Sequence, residues 1–401
     1  MQSTRRYELD WLRVFAFGLL IFYHTGMFFV TWDWHVKNNT SSQFTEVLML
    51  LVNRWRLPLL FLVSGAGVFF AFRKRTMGQF AWERIKRLWI PLTFGMFVII
   101  PPQIYFERLQ NGATYSYSEF YPEVFKFQPY PEGSFSWHHL WFVAYLLVFS
   151  LICIPLFYYF RSATGKRMLT RLTEFISKGS NIFLILLPAL IINLSLGPLF
   201  PTTHNLIEDW ANFAGSLYVF LLGYLFAFNE NLMESCRKHR KLSLILALAF
   251  YSLFIYIWKS QVLIPIVDSA GRTYIYILID TFLGGTALIA VLGYARQHLR
   301  FSSPALSYTN NAVYPFYILH QTVIVILGYY LANLNWMIGG KFLLISIATF
   351  LICWLFYELL RRTALTRILF GIKKETGPKS IRSIKTGHHV SATESVKMTK
   401  V

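Results

Sequence analysis

The chain has 401 residues, of which 55% are hydrophobic and 14% charged, and its mean hydropathy is +0.45. A water-soluble fold cannot bury so much apolar surface, because a single core stops growing near roughly 250–300 residues. The formal net charge of +19 does not indicate a nucleic-acid partner, because the basic residues alternate with apolar runs. The three cysteines are scattered and no zinc-ligand spacing is present, so we expect neither a disulfide scaffold nor a metal site.

Ten apolar segments are long enough to cross a bilayer, which needs roughly 20 residues each. In chain order they are residues 12–31, 45–72, 88–105, 138–160, 182–199, 211–229, 242–260, 274–293, 308–331 and 341–360. We read the first as a retained helix, because it is too long for a signal-peptide core. Pro58 and nearby polar residues interrupt the second, which we expect to be broken or strongly tilted. Segment 106–137 is the longest loop, and we expect it to fold over the outer mouth.

The distribution of basic residues predicts the orientation of these helices. Of the 38 lysines and arginines, 30 fall in segments on one side, six on the other and two within the second helix. Cytoplasmic loops carry such an excess, so both termini are predicted to be cytoplasmic. The fold class is therefore all-α, a polytopic membrane protein with the lipid bilayer as its solvent. Residues 1–370 form one transmembrane domain, and the polar residues 371–401 are predicted to be a disordered cytoplasmic tail.

The first predicted helix carries three ionisable residues on one face. Arg13 and His24 are 11 positions apart, so they differ by about 20° around the helix, and Asp10 and His24 differ by about 40°. His24 lies about 16 Å beyond Arg13 along the axis. Ionisable groups inside a membrane are functional candidates by default. The structural alternative is that Asp10 caps the helix, Arg13 reaches the headgroups and His24 bonds a neighbouring helix.

A second deep histidine lies in the ninth predicted helix. His320 is as far from the start of its helix as His24 is, which puts both about 18 Å from the cytoplasmic edge. Arg54 and Arg56 reach a comparable depth from the other side. The sequence therefore predicts a buried cluster of His24, His320 and one of the two arginines. Alternatively, His320 packs beside the kink at Pro315, and the arginines face the outer headgroups.

Two further pairs are binding candidates. Arg84 and Arg87 are spaced to present two guanidiniums on one side of a helix, which suits phosphate oxygens. Their other interpretation is that they only set the topology. His139 and Trp141, at the outer end of the fourth helix, combine an imidazole with an aromatic face suited to a sugar ring, although tryptophan is also common at membrane interfaces.

Together these residues resemble the acyltransferase 3 family of membrane proteins. The family's first-helix pattern is matched by Arg5, Leu9-Asp10, Arg13 and His24. Further similarity is carried by short segments along the chain, namely Phe61-Leu62-Val63-Ser64-Gly65, Arg84-x-x-Arg87, Leu140-Trp141-Phe142, Tyr317-Ile318-Leu319-His320 and Tyr357-Glu358. Within the family the likeness is to the glucan biosynthesis protein C branch, which implies succinylation of periplasmic glucans. Residues 162–300 match no motif.

The resemblance implies an O-acyltransferase of the bacterial inner membrane. Acyl-CoA, with a succinyl or acetyl group, would be the co-substrate, and no permanently bound cofactor is expected. Its nucleotide would lie against Arg84, Arg87 and Arg13, and a carbohydrate acceptor would enter from outside.

The implied site roles follow from this arrangement. His24 would be the general base, although an acyl-histidine intermediate stays open, and Asp10 would orient Arg13 or the donor. The implied substrate-binding residues are His320, Arg56, Trp141 and His139. A proton-coupled secondary transporter is the alternative function, because buried histidines and a proline-interrupted helix fit it as well.

Overall fold

The computed structural model describes residues 5–373, which contain helices and no β-strand. The predicted all-α fold is therefore confirmed for this part of the chain. The helices are α1 Tyr7–Met27, α2 Gln43–Phe72, α3 Met77–Gln110, α4 His138–Ile152, α5 Ile154–Arg161, α6 Ala163–Ser177, α7 Asn181–Leu196, α8 Trp210–Phe228, α9 Glu230–Ser260, α10 Ser269–His298, α11 Pro304–Leu331, α12 Ile338–Leu360 and α13 Ala364–Leu369. Residues 374–401, most of the predicted tail, lie outside the described residues.

Nine of the ten predicted spans each overlap one of these helices, and the span predicted at 138–160 covers two, α4 and α5, which are bent by 49°. Within residues 5–373, seven helices are long and apolar enough to cross a membrane, and nine spans result if the bent pairs α4–α5 and α6–α7 each count once. The first helix, predicted as a tenth span, is not among them. Its first two turns carry Glu8, Asp10 and Arg13, which reduce its apolar character.

The second helix corrects one expectation from the sequence. α2 runs unbroken for 30 residues through Pro58, which was expected to interrupt it. Proline removes one backbone hydrogen bond, and neighbouring helices can tolerate this in a membrane. The wide turns occur instead in α3, where Ile85–Trp89 and Gly95–Ile99 are π-helical.

Contacts between segments that are distant in sequence identify the two ends of the bundle. At the basic end, Arg296 donates to Glu8 and Glu230 at 2.9 and 2.8 Å, which joins α1, α9 and α10. At the opposite end, here called the loop end, the Lys37 amide and the Gln110 side chain are bonded at 2.7 Å. The segments predicted to be cytoplasmic meet at the basic end, whereas loops 28–42, 111–137 and 197–209 lie at the loop end.

Close helix packing sets the centre of the bundle. α2 and α11 bury most of their residues, whereas α9 and α12 are largely exposed on outward faces. α2 and α8 approach so closely that a Cβ on Gly65 would lie 1.8 Å from the Phe220 carbonyl oxygen. Small residues allow this approach, as is usual between membrane helices. α1 packs along α11, which runs parallel to it, and along α2, which runs antiparallel to it, and this packing brings their polar residues to the interior.

Candidate active site

A cavity of about 1020 Å³ extends from the loop end into the bundle. Its deep wall comes from α1, α2, α3, α4 and α11, and its mouth from loops 28–42, 111–137 and 197–209. The deep wall includes Leu20, Tyr23, His24, Asn53, Arg56, Met96, His139, Trp141, Phe142, Tyr317 and Gln321. Pro129, Tyr130 and residues 135–137 line the mouth, so the end of the long loop borders the cavity.

His24 and His320 form a direct hydrogen bond across α1 and α11. His24 Nδ1 lies 2.7 Å from His320 Nε2, and His320 Nδ1 lies 2.7 Å from the carbonyl oxygen of Tyr317. A carbonyl oxygen only accepts, so His320 Nδ1 carries a proton and donates it. When both rings are neutral, His320 Nε2 must then accept from His24 Nδ1–H. The lone pair of His24 is therefore on Nε2, for which no hydrogen-bond partner is found within residues 5–373.

The parallel packing of α1 and α11 positions this pair. Asn310 donates to Asp10 Oδ1 at 2.9 Å and accepts from Arg13 at 3.1 Å, about three helical turns below the histidine pair. All three polar residues of α1 thus contact α11, which confirms that they share one face. Asp10 reaches Arg5 and Arg13 but does not contact His24. His320 is 1% exposed, so it reaches the cavity only through the His24 ring.

The structure selects Arg56 rather than Arg54 as the arginine of this cluster. The Arg56 guanidinium lies 3.4 Å above the Tyr23 ring centre and donates to Asn53 Oδ1 at 3.3 Å. In the described part of the chain it has no carboxylate partner, and its buried Nε makes no hydrogen bond. Arg54 instead pairs with Asp280 of α10 at 3.1 Å. The predicted cluster of His24, His320 and one arginine is thereby confirmed.

His139 and Trp141 both line the cavity, with different surroundings. His139 Nε2 lies 3.1 Å from the Ile318 carbonyl oxygen and its Nδ1 lies 3.4 Å from Gln103 Nε2, so both ring nitrogens face protein groups. Trp141 stacks on His204 with ring centres 4.0 Å apart. Burial lowers the pKa of His204, an effect that Asp209 opposes, and this favours a neutral ring in the stack. The substrate contacts of His139 and Trp141 stay predictions.

A separate group of cations lies at the basic end. Glu83 pairs with Arg75 and, at 3.6 Å, with Arg87. Arg84 lies 4.8 Å above the Phe80 ring centre, and its buried Nε has no hydrogen-bond partner. The predicted anion-binding residues Arg13, Arg84 and Arg87 lie close enough together to repel one another.

Lys373 joins this group from the segment after α13. Burial, followed by repulsion from Arg87 and Arg13, lowers the pKa of its amine to about 8, although much of the side chain is exposed. From the sequence alone, Lys373 falls in the predicted disordered tail and has no functional role. The ring of Phe370 contacts Phe94 of α3 with centres 5.3 Å apart, and this contact holds the segment against the bundle.

Three aromatic rings separate the basic cluster from the cavity. Phe17 lies 5.4 Å from Tyr317 and 6.5 Å from Phe142, and the last two are 6.0 Å apart between ring centres. In sequence, Phe17 stands between Arg13 and His24. The cavity wall on α1 begins at Leu20 and does not include Arg13. A molecule that reaches both sites must therefore pass or displace these rings.

Comparison with known proteins decides the class of chemistry. A family model described as an acyltransferase domain, acyltransferase 3, matches residues 6–358. The chain belongs to the acyltransferase 3 family. Over 387 residues it is 24% identical to glucans biosynthesis protein C of Shigella dysenteriae serotype 1 and to that of Escherichia coli K12, covering 92% of this chain and 95% of each relative. No solved structure matches this chain significantly.

The protein is thus a multi-pass O-acyltransferase of the bacterial inner membrane, and the transporter alternative is not needed. From the sequence alone, no role follows for His35, Glu107, His204, Gln103 or Gln321 of this acyltransferase, whereas His138 directly precedes the binding candidate His139. His35, His138 and His204 line the cavity mouth, Glu107 contacts His35 there, and Gln103 and Gln321 are bonded between α3 and α11. Gln103 and Glu107 are four residues apart and so share a face of α3, but no pattern in the sequence joins them to the others.

Proposed function

We propose that this acyltransferase moves an acyl group from cytoplasmic acyl-CoA to a hydroxyl group of an extracytoplasmic carbohydrate, with His24 as the general base. The observation that carries the proposal is the chain from His24 through His320 to the Tyr317 carbonyl oxygen. It fixes the tautomer and the ring orientation that a base requires, since a second group holds the nitrogen opposite the reactive one.

The donor would bind from the basic end. Arg13, Arg84, Arg87 and Lys373 offer positive charge to the phosphates of the CoA nucleotide, and Arg84 has no carboxylate partner within residues 5–373. Guanidiniums suit phosphate because they donate forked hydrogen bonds. The pantetheine arm would displace the rings of Phe17, Phe142 and Tyr317 and bring the thioester to His24.

The acceptor would enter through the mouth at the loop end, where the cavity is lined by aromatic and polar side chains. His24 Nε2 takes the proton of the hydroxyl group as its oxygen attacks the thioester carbon. The C–S bond then breaks, and His24 returns the proton to the CoA sulfur. His320 Nε2 accepts from His24 Nδ1–H throughout and stabilises the imidazolium. Such proton transfer typically contributes about 10²–10⁴-fold to the rate.

Arg56 favours succinyl over acetyl as the transferred group. A buried guanidinium without a counter-ion is costly, so it favours an anionic ligand. A succinyl group carries a distal carboxylate, whereas an acetyl group has none. The relatives are named for glucan biosynthesis, and a glucan is accordingly the proposed acceptor.

The test uses the purified full chain in proteoliposomes with radiolabelled acyl-CoA and a glucan oligosaccharide. We expect His24→Ala to lose at least 100-fold in transfer while still binding CoA. The matched control is His239→Ala, because His239 lies at the basic end against Ser180 and the Ser235 carbonyl oxygen. Normal turnover by the His24→Ala variant would remove His24 from the mechanism.

The same assay tests the acyl group. Arg56→Gln should reduce succinyl transfer at least tenfold while changing acetyl transfer little. Only the succinyl group has a distal carboxylate, and the substitution removes the guanidinium that would bind it. An equal reduction with both donors would show that Arg56 does not recognise the acyl carboxylate.

A further inference from the structure

A cluster of metal-ligating side chains lies at the mouth of the cavity, apart from the histidine pair. His35, Glu107 and His138 each offer one ligand atom, and these atoms lie within 4.8 Å of one another. Within residues 5–373 no other group of three such residues meets this distance. We propose that this cluster binds a zinc ion at the mouth of the cavity; the binding of the ion does not depend on the proposed acyl transfer, whereas the ligand class inferred for it rests on the proposed function.

The ligand set fits zinc better than other common cations. Two imidazoles and one carboxylate make a three-ligand set that leaves the fourth tetrahedral position open. Mg²⁺ and Ca²⁺ prefer oxygen ligands, so two histidines disfavour them. Tetrahedral zinc, with bonds of about 2.0–2.2 Å, needs ligand atoms roughly 3.3 Å apart. His35 Nδ1–H now donates to Glu107 Oε2 at 2.5 Å, and the ion would take the place of this hydrogen as the two atoms separate by about 1 Å.

Hydrogen bonding within the cluster does not explain the buried ring nitrogen and the backbone conformation of His138. Its Nε2 atom is buried and has no hydrogen-bond partner among the described residues, whereas its Nδ1 lies 2.8 Å from Ser136 Oγ. Ser136 Oγ can accept Nδ1–H, which leaves the lone pair on Nε2 as a metal ligand requires. The backbone of His138 has φ of 37°, a left-handed conformation that is costly outside glycine and concentrates at functional sites.

The groups around the ligands hold them in place. The Tyr130 hydroxyl donates to Glu107 Oε1 at 2.5 Å. Such partners of ligating residues orient them and tune their affinity for the metal.

Two sets of hydrogen bonds bring the three segments together without any metal. Lys37 and Gln110 exchange backbone-to-side-chain bonds at 2.7 and 2.8 Å, which fastens the His35 loop to the end of α3. Arg108 donates to the Gly133 carbonyl oxygen at 2.7 Å and fastens the loop that leads to His138. The three segments are therefore held together, and the rings of His35 and His138, which now stack with centres 4.5 Å apart, would turn to direct both lone pairs at one ion.

The position of the cluster suggests what the ion does. His35 and His138 line the cavity, so the open coordination position would face its interior. Zinc binds hydroxyl oxygens there as a Lewis acid. The ligand class for this subsite is accordingly a hydroxyl group of the entering carbohydrate.

The test measures zinc binding by the full chain, without substrate and after any histidine tag is removed. Protein stripped with a chelator should bind one Zn²⁺ per chain in calorimetric titration, and Mg²⁺ or Ca²⁺ should not compete. Glu107→Gln and His138→Gln should each weaken binding at least tenfold. The matched control is Glu123→Gln, since Glu123 only pairs with Lys126 on the surface of the same loop. Zinc binding that is absent, or equal in Glu107→Gln and in the control, would overturn the proposal.

Two further measurements guard against variants that fold poorly. Co²⁺ bound to the wild-type chain should give the visible absorption of a tetrahedral site, and Zn²⁺ should displace it. Tyr130→Phe keeps all three ligands and removes only the bond to Glu107, so it should weaken zinc binding by about 10–100-fold. A Co²⁺ spectrum typical of six oxygen ligands would contradict the assigned residues.

Discussion

A single proton position determines what His24 can do. Because the Tyr317 carbonyl oxygen cannot donate, it fixes the tautomer of His320, which in turn fixes that of His24. The reactive lone pair is directed to the cavity by a backbone atom and not by a carboxylate. This differs from an Asp–His pair, in which a charge stabilises the imidazolium. A neutral acceptor makes a weaker partner but suits a site where a buried carboxylate would be costly.

The role of His320 as a positioning residue can be separated from simple packing. His320→Leu removes the acceptor for His24 Nδ1–H, so we expect kcat to fall about 100-fold with little change in KM for acyl-CoA. His320→Gln keeps an amide oxygen that can accept this proton, and it should recover at least tenfold of the loss. Steady-state kinetics on both variants, with thermal unfolding as the control for folding, tests this. Equal activity of the two variants would assign His320 a packing role only.

The pKa of Lys373 predicts how the affinity for the acyl-CoA donor depends on pH. With a pKa of about 8, its amine is charged at pH 7 and neutral at pH 9. The positive charge attracts the CoA phosphates, so the Kd of acyl-CoA should rise several-fold between these pH values. Lys373→Arg stays charged throughout and should flatten this dependence. Calorimetric titration at pH 7, 8 and 9 measures it, and an unchanged slope in the arginine variant would exclude Lys373 from the donor site.

At the scale of helices, the contact between α2 and α8 should be the most sensitive to added volume. Gly65→Ala would place a methyl group 1.8 Å from the Phe220 carbonyl oxygen, and Gly223→Ala one 1.9 Å from that of Leu62. Backbone cannot yield as a side chain does, so each should destabilise the fold by about 1–3 kcal/mol or more. Gly18→Ala in α1 meets nothing within 4 Å and is the control. Thermal unfolding in detergent gives the answer, and equal melting of all three variants would contradict it.

The helices also show which features the sequence could predict. Apolar runs mark where the chain meets lipid, and α2, α8 and α12 begin within three residues of their predicted starts. α9 begins 12 residues before its predicted start, because its first turns are charged and extend beyond the apolar run. Hydropathy reports the membrane-embedded part of a helix and not the helix itself. The continuity of α2 through Pro58 depends on neighbouring helices, which no local pattern contains.

The candidate site also has some features that the sequence could predict and others that it could not. The shared face of Asp10, Arg13 and His24 follows from local helix periodicity, and the depth of His320 follows from residue counting. The choice between Arg54 and Arg56 did not follow from the sequence. Residues two apart on a helix point about 200° away from each other, and only the positions of the neighbouring helices decide which of the two faces the histidine pair. His35 comes from the loop after α1, Glu107 from the last turns of α3 and His138 from the start of α4, so their meeting depends entirely on tertiary structure.

At the scale of the whole molecule, a cation cluster and a cavity lie at opposite ends, with the histidine pair between them. This arrangement serves acyl transfer only if the basic end faces the cytoplasm, where acyl-CoA is made, and the charge distribution predicts that it does. The family match fixes the chemistry but carries no information on which end faces which compartment. The orientation therefore needs its own measurement.

Labelling of single exposed cysteines can measure the orientation of the chain in the membrane, because the native Cys153, Cys236 and Cys353 are all buried. Thr114 is exposed at the loop end and Thr164 at the basic end, so Thr114→Cys and Thr164→Cys form a matched pair. A maleimide that cannot cross the inner membrane should label Thr114→Cys in intact cells and Thr164→Cys only after the membrane is disrupted. The reverse pattern would place Arg84, Arg87 and Lys373 outside the cell's supply of acyl-CoA. The histidine pair would then need a donor from the loop end, through the same mouth as the acceptor.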